Sequence, residues 1–563
     1  MNPRAFPSSL VPTPHRVSIR ARWIFLLWLF LAVISPSRAQ TSPDPTIGSR
    51  NRPDRLEEFR DLGFGLFIHW GVDSQLGSVI SHSLVGADED YVQRYISELP
   101  KTFNPRKFAP TDWAVLAKLA GIRYVVLTAK HHSGFCLWPT ATTDFSIAHT
   151  PFKRDITREV LDAFREQDIR PGLYFSPDDF WWLHRQGITI ERRFPQVQPR
   201  NNPGLMAYDQ AQVRELLTNY GPIDLMFFDG EAEGLRDLAW DLQPNLVVTR
   251  GAIRTPEQFI PGLPLNEPWE ACLTMGTQWQ YKPTNENYKT GGALISLLIE
   301  TRAKGGNLLL NVGPKPDGEL AIEQEERLRE IALWMFVNQE CIYGVRPWVI
   351  TNEDDVWFTK RKDDTAVYAI VKTSQRWPLG TWRDLVFKSI RATPETQVTV
   401  LGQNDKVLEY SDTVVPKTTW EQKPDGLHVR AMHAQRLYND RKWPNPIVLK
   451  LTHVQPALVP PQVETVAPQW DAAKQTMRLT GRLTALGDAI EVGGGFEYCD
   501  ITGMDLTERI GNWQTTPFVS RKAAGEFTHE LTGLVSGHTY EVRAVAKHPL
   551  LSLYGQEMRL SIP

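Results

Sequence analysis

Cysteine is scarce in this chain of 563 residues, which contains only four cysteines. Four cysteines are too few for a disulfide framework, and no two have the close spacing of a zinc site. Cys136 follows a pair of histidines, but its apolar neighbours are typical of a small buried residue, so a catalytic thiol is the weaker interpretation. The four are Cys136, Cys272, Cys341 and Cys499.

An excess of charge of one sign is also missing. The chain has 62 Lys and Arg against 65 Asp and Glu, which gives a formal net charge of −3. Proteins that bind nucleic acid or anionic membranes through their overall field carry a strong basic excess. The sequence therefore predicts no nucleic-acid partner.

Apolar runs long enough to span a bilayer, about 20 residues, are absent. The N-terminal run 23–34 is shorter; three arginines precede it, and a small-residue segment ending at Ala39 follows. This order is typical of a signal peptide. We therefore predict a signal peptide at 1–39, a Ser/Thr/Pro-rich linker at 40–50, and an exported protein: periplasmic, extracellular or lysosome-like. After cleavage we expect no integral membrane segment; an uncleaved anchor is the alternative.

Short apolar segments alternate with amphipathic helical patterns up to about residue 340. This alternation is typical of parallel βα units, so residues 51–340 are predicted to form a (β/α)8-like barrel. Helical patterns include 113–120 and 156–166, and a charged helix from Glu319 to about Phe336 closes the barrel. The strand candidates begin at Phe64, Tyr124, Arg170, Asp224, Asn245 and Asn307.

Alternation with a period of two residues replaces this pattern in the C-terminal part. Residues 345–455 are predicted to form an antiparallel β-sandwich. Prolines then indicate a linker, and residues 468–563 are predicted to form a small all-β domain resembling fibronectin type III, with segments 527–531 and 539–546 paired. The proline-rich boundary predicts few contacts between this last domain and the rest of the chain.

Polar residues stand at the carboxyl ends of the strand candidates, where barrel enzymes carry their catalytic groups. Burial of two adjacent imidazoles costs free energy unless they find partners, so His131 and His132 indicate a site. A satisfied pair of core histidines is the alternative. A zinc site is disfavoured, because we expect the two side chains to point to different sides. The strand-end residues are His69, His131, His132, Ser176, Asp229 and Arg250.

Five motifs in order resemble the α-L-fucosidases of glycoside hydrolase family 29. The resemblance covers residues 51–340, and the following sandwich also fits the family. It implies a retaining exo-glycosidase that removes terminal α-L-fucosyl residues from glycans through a covalent glycosyl-enzyme intermediate, with no metal and no cofactor. The motifs are Phe64–Gly71, Thr128–Phe135, Phe228–Gly230, Trp269–Cys272 and Gly305–Pro314.

The resemblance implies that Asp229 is the nucleophile; a helix-capping aspartate is the alternative. The general acid/base is less certain. Glu257, in a proline-flanked loop shortly after Arg250, is the preferred candidate, and Glu270 is the second. Glu267 is a weaker third. A general acid must keep its proton near neutral pH, through burial or a neighbouring carboxylate.

The histidines match residues that contact sugar hydroxyls in the family, and a neutral imidazole can both donate and accept a hydrogen bond. The full set of predicted substrate contacts is His69, Trp70, His82, His131, His132, Trp138, Arg250, Trp279 and Tyr281.

Three departures from the family pattern bear on substrate identity. The chain reads Ser81–Gly86 where many relatives carry a Glu-Trp pair that contacts the sugar, and it has Ser133 and Gln280 where Asp and Gly are usual. His82 is a candidate to replace one sugar contact. The alternatives are an exo-glycosidase for a different terminal sugar and a catalytically silent carbohydrate-binding protein.

Overall fold

The structure, a computed structural model, describes residues 48–192, 194–262, 264–265, 267–372, 377–439, 443–502, 513–548 and 552–563. The predicted signal peptide and most of the predicted linker therefore lie outside the described residues.

A parallel sheet forms the centre of the N-terminal half. Its described strands follow the order β5-β4-β3-β2-β1-β7-β6, which confirms a barrel of the predicted class, with β5 and β6 as its described edges. The strands are buried almost throughout, as expected for a parallel sheet covered by helices. The strands are β1 Phe64–Ile68, β2 Tyr124–Lys130, β3 Arg170–Phe175, β4 Leu225–Phe228, β5 Val247–Val248, β6 Glu270–Thr274 and β7 Asn307–Val312.

Nine α-helices connect or follow these strands in the described part of the chain. The predicted helix 156–166 forms with the same bounds, because Asp155 caps it by accepting a hydrogen bond from the Arg158 amide. None of the described helices is both long and apolar enough to cross a bilayer. The helices are α1 Pro53–Leu62, α2 Glu89–Thr102, α3 Pro110–Leu119, α4 Ile156–Glu166, α5 Phe180–Arg185, α6 Pro203–Asn219, α7 Glu233–Leu242, α8 Gly291–Ala303 and α9 Ile322–Asn338.

A buried ionic cluster fixes the carboxyl end of β2. The Lys130 ammonium lies 3.0 Å from Asp179 and 2.8 Å from Asp209, and all three side chains are fully buried. Burial, together with the Asp179 charge, raises the pKa of Asp209 to about 8. Asp179 also caps α5 through the Trp182 amide. The cluster therefore ties β2 to α5 and α6 immediately before His131.

An antiparallel sandwich follows α9. It has a five-stranded sheet, β12-β15-β10-β9-β8, and a three-stranded sheet, β11-β14-β13. One continuous core joins it to the barrel, and the Trp334 indole of α9 donates to the Pro446 carbonyl at 2.8 Å. The strands are β8 Val345–Glu353, β9 Val356–Arg361, β10 Ala366–Val371, β11 Trp382–Phe387, β12 Ile390–Val400, β13 Thr419–Lys423, β14 Gly426–Met432 and β15 Ile447–Pro456.

The last unit, residues 462–563, is a second antiparallel sandwich with its own core. Its sheets are β16-β17-β21 and β19-β18-β22-β23, with β20 and β24 attached to the second. The predicted pairing of 527–531 with 539–546 is wrong, because β21 pairs with β17 whereas β22 pairs with β18. The strands are β16 Gln462–Asp471, β17 Thr476–Ala485, β18 Val492–Asp500, β19 Gln514–Thr515, β20 Val519–Arg521, β21 Gly525–Leu531, β22 Thr539–Lys547, β23 Ser552–Tyr554 and β24 Met558–Ser561.

The last unit contacts the rest of the protein at a few of its described residues. Leu553 packs against the core shared by the barrel and the first sandwich, and the Arg559 guanidinium lies over the Phe259 ring at 5.2 Å.

We expect Lys130→Met to destabilise the protein by about 3–5 kcal/mol, because it leaves two buried carboxylates without their cation. Chemical denaturation measures the loss. Lys474→Ala, which removes a 72%-exposed lysine paired with Asp471, is the matched control and should leave the free energy of unfolding unchanged. Equal stability of the two variants would contradict a stabilising role for the cluster.

Candidate active site

The carboxyl ends of the barrel strands surround an open cavity of about 70 Å³. Catalytic groups are expected at this end of a barrel. Four Phe, Tyr and Trp rings and a set of ionisable side chains line it. The lining residues are Phe67, His69, His82, His131, Tyr174, Arg192, Phe227, Asp229, Arg250, Glu257, Cys272 and Trp279.

Asp229 follows β4, and several donors hold its carboxylate in the cavity. The Tyr174 hydroxyl donates to Oδ2 at 2.7 Å, and Arg250 Nη1 donates to Oδ1 at 3.0 Å. Burial alone would raise the pKa of Asp229, but Arg250, His132 and Arg192 together hold it well below its usual range. Asp229 is therefore ionised and has a fixed direction.

Arg250 bridges Asp229 and a second carboxylate. The same Nη1 atom donates to Glu257 Oε2 at 2.9 Å, and the Arg250 guanidinium lies over the Phe227 ring at 4.6 Å. The Gln258 amide donates to the Cys272 carbonyl at 3.0 Å, which attaches the loop to β6. One guanidinium thus binds two carboxyl groups, those of Asp229 and Glu257. The Glu257 side chain is 44% exposed.

Glu270, the second acid/base candidate, does not line the cavity. It is the first residue of β6, fully buried, and it accepts a hydrogen bond from the Tyr124 hydroxyl at 2.6 Å. Burial raises its pKa to about 7. Glu267 lies outside the cavity lining as well and pairs with Arg254 at 2.7 Å. Because the cavity lies at the other end of the strands, the assignment of Glu270 to catalysis is corrected here.

His69 is a neutral imidazole with a defined orientation. Its Nδ1 lies 2.6 Å from Asn311 Oδ1, while the Asn311 amide nitrogen donates to the Trp279 carbonyl. The Asn311 oxygen must therefore accept, so His69 Nδ1 carries the proton and Nε2 is an acceptor. Burial lowers the pKa of His69 to about 3, which keeps the ring neutral.

His131 contacts Ser81, a residue of the segment in which the sequence departs from the family pattern. Its Nδ1 lies 2.9 Å from the Ser81 hydroxyl, which also accepts from the Ser133 amide. Ser81 has a φ of +55°, and Asp73 Oδ2 holds it by accepting from its amide at 2.7 Å. Burial lowers the pKa of His131 well below its ordinary value. Ser81 thus orients a cavity histidine.

His132 lies on the same side as His131, so the expectation that the two point apart is wrong. The ring centroids are 4.3 Å apart, because β2 ends at Lys130 and strand alternation stops there. Ser176 donates to the Asp178 carbonyl, so it accepts the proton of His132 Nδ1. His132 Nε2 then lies 3.5 Å from Asp229 Oδ2.

His131, His132 and Asp229 offer atoms within 4.8 Å of one another, the spacing of a metal-binding group. Two guanidinium groups already face this carboxylate, Arg250 at 3.0 Å and Arg192 at 4.0 Å. A metal ion would have to share that carboxylate with both cations, which is unfavourable.

Three other predicted substrate contacts lie outside the lining of the site cavity, and their assignment is corrected: Trp70, Trp138 and Tyr281. Trp70 is 1% exposed and packs among the rings of Phe103, Phe108 and Trp113. Trp138 is also 1% exposed, and its indole donates to Glu215.

Tyr281 lines a separate cavity near the start of α9. His82 and Trp279 do line the site cavity, and burial lowers the pKa of His82 to about 4.

Sequence reasoning missed Tyr174, Arg192, Asn311 and Phe227. Tyr174 and Phe227 are opposite residues of the parallel pair β3 and β4, so the pairing register would have revealed them. Asn311 stands near the end of β7, beside Phe67 of β1. Arg192 lies in a long loop that carries no motif.

Comparisons with known proteins agree with this geometry. The family model for alpha-L-fucosidase matches residues 31–340. Rat plasma alpha-L-fucosidase is 31% identical over 451 residues, covering 72% of this chain and 94% of the relative.

Two solved structures extend the comparison. Alpha-L-fucosidase isoenzyme 1 from Paenibacillus thiaminolyticus has 27% identity and a TM-score of 0.55, covering 71% of this chain and 98% of that one. Thermotoga maritima alpha-fucosidase in complex with a mechanism-based inhibitor has 26% identity and a TM-score of 0.55, covering 71% and 96%. The cavity, its two carboxylates and these similarities lead to one conclusion: the chain belongs to the α-L-fucosidase family of glycoside hydrolases.

Proposed function

We propose that this protein is an exported, retaining exo-glycosidase that hydrolyses terminal α-L-fucosyl residues of glycans through a covalent glycosyl-enzyme intermediate. The observation that carries the proposal is the bridge that Arg250 Nη1 makes between Asp229 and Glu257. Export rests on the signal-peptide pattern at 1–39.

The spacing of the two carboxyl groups supports retention. Because Asp229 Oδ1 and Glu257 Oε2 lie 3.0 and 2.9 Å from one nitrogen, these oxygens are at most about 6 Å apart, near the 5–5.5 Å of retaining enzymes and short of the 6.5–9.5 Å typical of inverting ones. The mechanism-based inhibitor bound by the Thermotoga maritima enzyme is consistent with the same chemistry.

In the first step an Asp229 oxygen forms a bond to the anomeric carbon as the bond to the leaving oxygen breaks. Glu257 gives its proton to that oxygen. In the second step Glu257 takes a proton from water, the water oxygen bonds to the anomeric carbon, and the Asp229 ester bond breaks. Asp229 suits the first role because it is ionised and directed by Tyr174 and Arg250.

The cavity suits one 6-deoxy sugar. Neutral His69 offers an acceptor for a sugar hydroxyl. Phe67, Phe227 and Trp279 supply ring faces for C–H groups and a methyl group. A different terminal sugar is the second candidate, because the Ser81–Gly86 segment departs from the family pattern.

Hydrolysis of an aryl α-L-fucoside alongside a panel of other aryl glycosides tests the proposal. We expect the fucoside to be the preferred substrate, and NMR of the first product to show the α anomer. Preference for another sugar would support the second candidate, and a β product would exclude retention.

Asp229→Ala should lower turnover on the order of 10³-fold or more, because no neighbour can replace the covalent nucleophile. Added azide should restore part of the activity and yield the β-fucosyl azide, since it attacks from the vacated face. Asp241→Ala, which removes an exposed acid of α7, is the control and should retain full turnover. An active Asp229→Ala variant would exclude the assignment.

Glu257→Ala should retain activity on substrates with activated leaving groups and lose it on natural glycans. General acid catalysis is worth about 10²–10⁴-fold, so the two kcat/KM values should diverge by that order. Glu270→Gln is the comparison and should change both substrates equally. The reverse pattern would transfer the role to Glu270.

Tyr174→Phe should move the acidic limb of the kcat/KM profile to higher pH. The native pKa of Asp229 is depressed, and loss of the Tyr174 donor raises it towards its ordinary value, so the carboxylate protonates earlier as pH falls. Tyr220→Phe removes a similar hydroxyl-to-aspartate bond to Asp155, away from the cavity. It should leave the profile unchanged; identical profiles for all three proteins would refute the expectation.

A further inference from the structure

The chain segment between β5 and β6 makes two kinds of contact, one that involves Arg250, before Glu257 in the sequence, and one that involves the last unit, after it. Before Glu257, Arg250 lies in the cavity and binds its carboxylate. After Glu257, two residues contact the last unit. Phe259 lies under the Arg559 guanidinium at 5.2 Å, and Gly262 lies against the Glu557 carboxylate. The last unit therefore reaches the loop that carries the proposed acid/base.

Gly262 is a point of close approach between the loop and the last unit. A Cβ atom at this position would lie 2.8 Å from Glu557 Oε1, so any other residue would push the two surfaces apart. Glu557 has little freedom to yield, because Arg543 binds it at 3.2 Å and also binds Glu497 at 2.6 Å. These three side chains are only 13–16% exposed.

Arg559 is held as firmly as Glu557. Its Nε donates to Glu541 at 3.1 Å, and the Glu541 side chain is 2% exposed. Its guanidinium therefore makes a cation–π contact with the Phe259 ring from a defined position. The last unit presents a rigid surface, built from ion pairs of its own strands, to this loop.

Backbone hydrogen bonds hold the loop to β6 as far as Gln258, and the contacts with the last unit follow directly after it. Gln258, between Glu257 and Phe259, has a φ of +60°, a conformation that costs a non-glycine residue about 1 kcal/mol or more. Glu257 is 44% exposed, so solvent alone would not hold its side chain at one position. Strained residues persist where the surrounding structure holds them from both sides.

We propose that the last unit, residues 462–563, is a positioning element for Glu257. By holding Phe259 and Gly262, it keeps the Glu257 carboxyl group at the leaving-group oxygen. The inference rests on the proposed function, since it concerns the proton that Glu257 transfers. None of the residues described in the last unit lines the sugar cavity, so in this proposal the unit acts through the loop.

Protonation of the leaving group gives a readout that separates positioning from general stability. A substrate such as 2-chloro-4-nitrophenyl α-L-fucoside leaves without a proton, whereas phenyl α-L-fucoside requires one. If the loop shifts, only the rate of phenyl α-L-fucoside hydrolysis falls. A variant that merely unfolds part of the protein lowers both rates equally.

The test uses the full chain with Arg559→Ala and, from the barrel side, Phe259→Leu. Because complete loss of a general acid costs about 10²–10⁴-fold, we expect partial misplacement to lower kcat for phenyl α-L-fucoside about 10-fold and to change that for the activated substrate less than about 2-fold. Arg482→Ala is the control: it removes an arginine from β17 whose partners, Glu464 and Glu526, lie within the last unit, and it should alter neither rate.

The outcomes separate the two proposals. A wild-type protein that cleaves neither fucoside overturns the proposed function and this inference with it. An active wild type whose substrate ratio is the same in all the variants overturns the inference alone. If circular dichroism shows that Arg559→Ala is misfolded, Phe259→Leu decides, because it leaves the last unit intact; equal loss on both substrates also overturns the inference.

Discussion

The arrangement of the site depends on a single guanidinium between two carboxylates. Burial of Asp229 would raise the free energy of its carboxylate, and Arg250 offsets that cost at 3.0 Å while it also binds Glu257 at 2.9 Å. The guanidinium is held in turn by Thr255 and by the Phe227 ring. Charge compensation and carboxyl spacing are therefore set by the same contact.

His69 and His131 complete the site as polar groups without charge. Burial lowers the pKa of His69 and His131, so both remain neutral beside Arg250 and can exchange hydrogen bonds with hydroxyls. Their orientations come from partners in distant parts of the chain, Asn311 on β7 and Ser81 before α2. Each ring is thus fixed by the meeting of separate chain segments at one end of the barrel.

The other two structural units both contact the barrel. The first sandwich shares a continuous core with the barrel, whereas the last unit touches the loop between β5 and β6 through Arg559 and Glu557. That loop spans the described edges of the barrel sheet. Isolated β-bridges and backbone hydrogen bonds attach it to β6 as far as Gln258, and the contacts with the last unit begin at Phe259.

Local pattern in the sequence determined the elements: the apolar strands, helix 156–166, and the polar residues that follow each strand, including Asp229. Only the tertiary structure decided which side chains meet. It separated Glu257 from Glu270, brought His131 and His132 to one side, withdrew Trp70 and Trp138 into the core, and assigned β21 and β22 to different sheets. The physical reason is that hydrophobic periodicity is a property of neighbouring residues. Strand pairing, loop direction and burial depend on contacts between residues far apart in the chain, which no local pattern encodes.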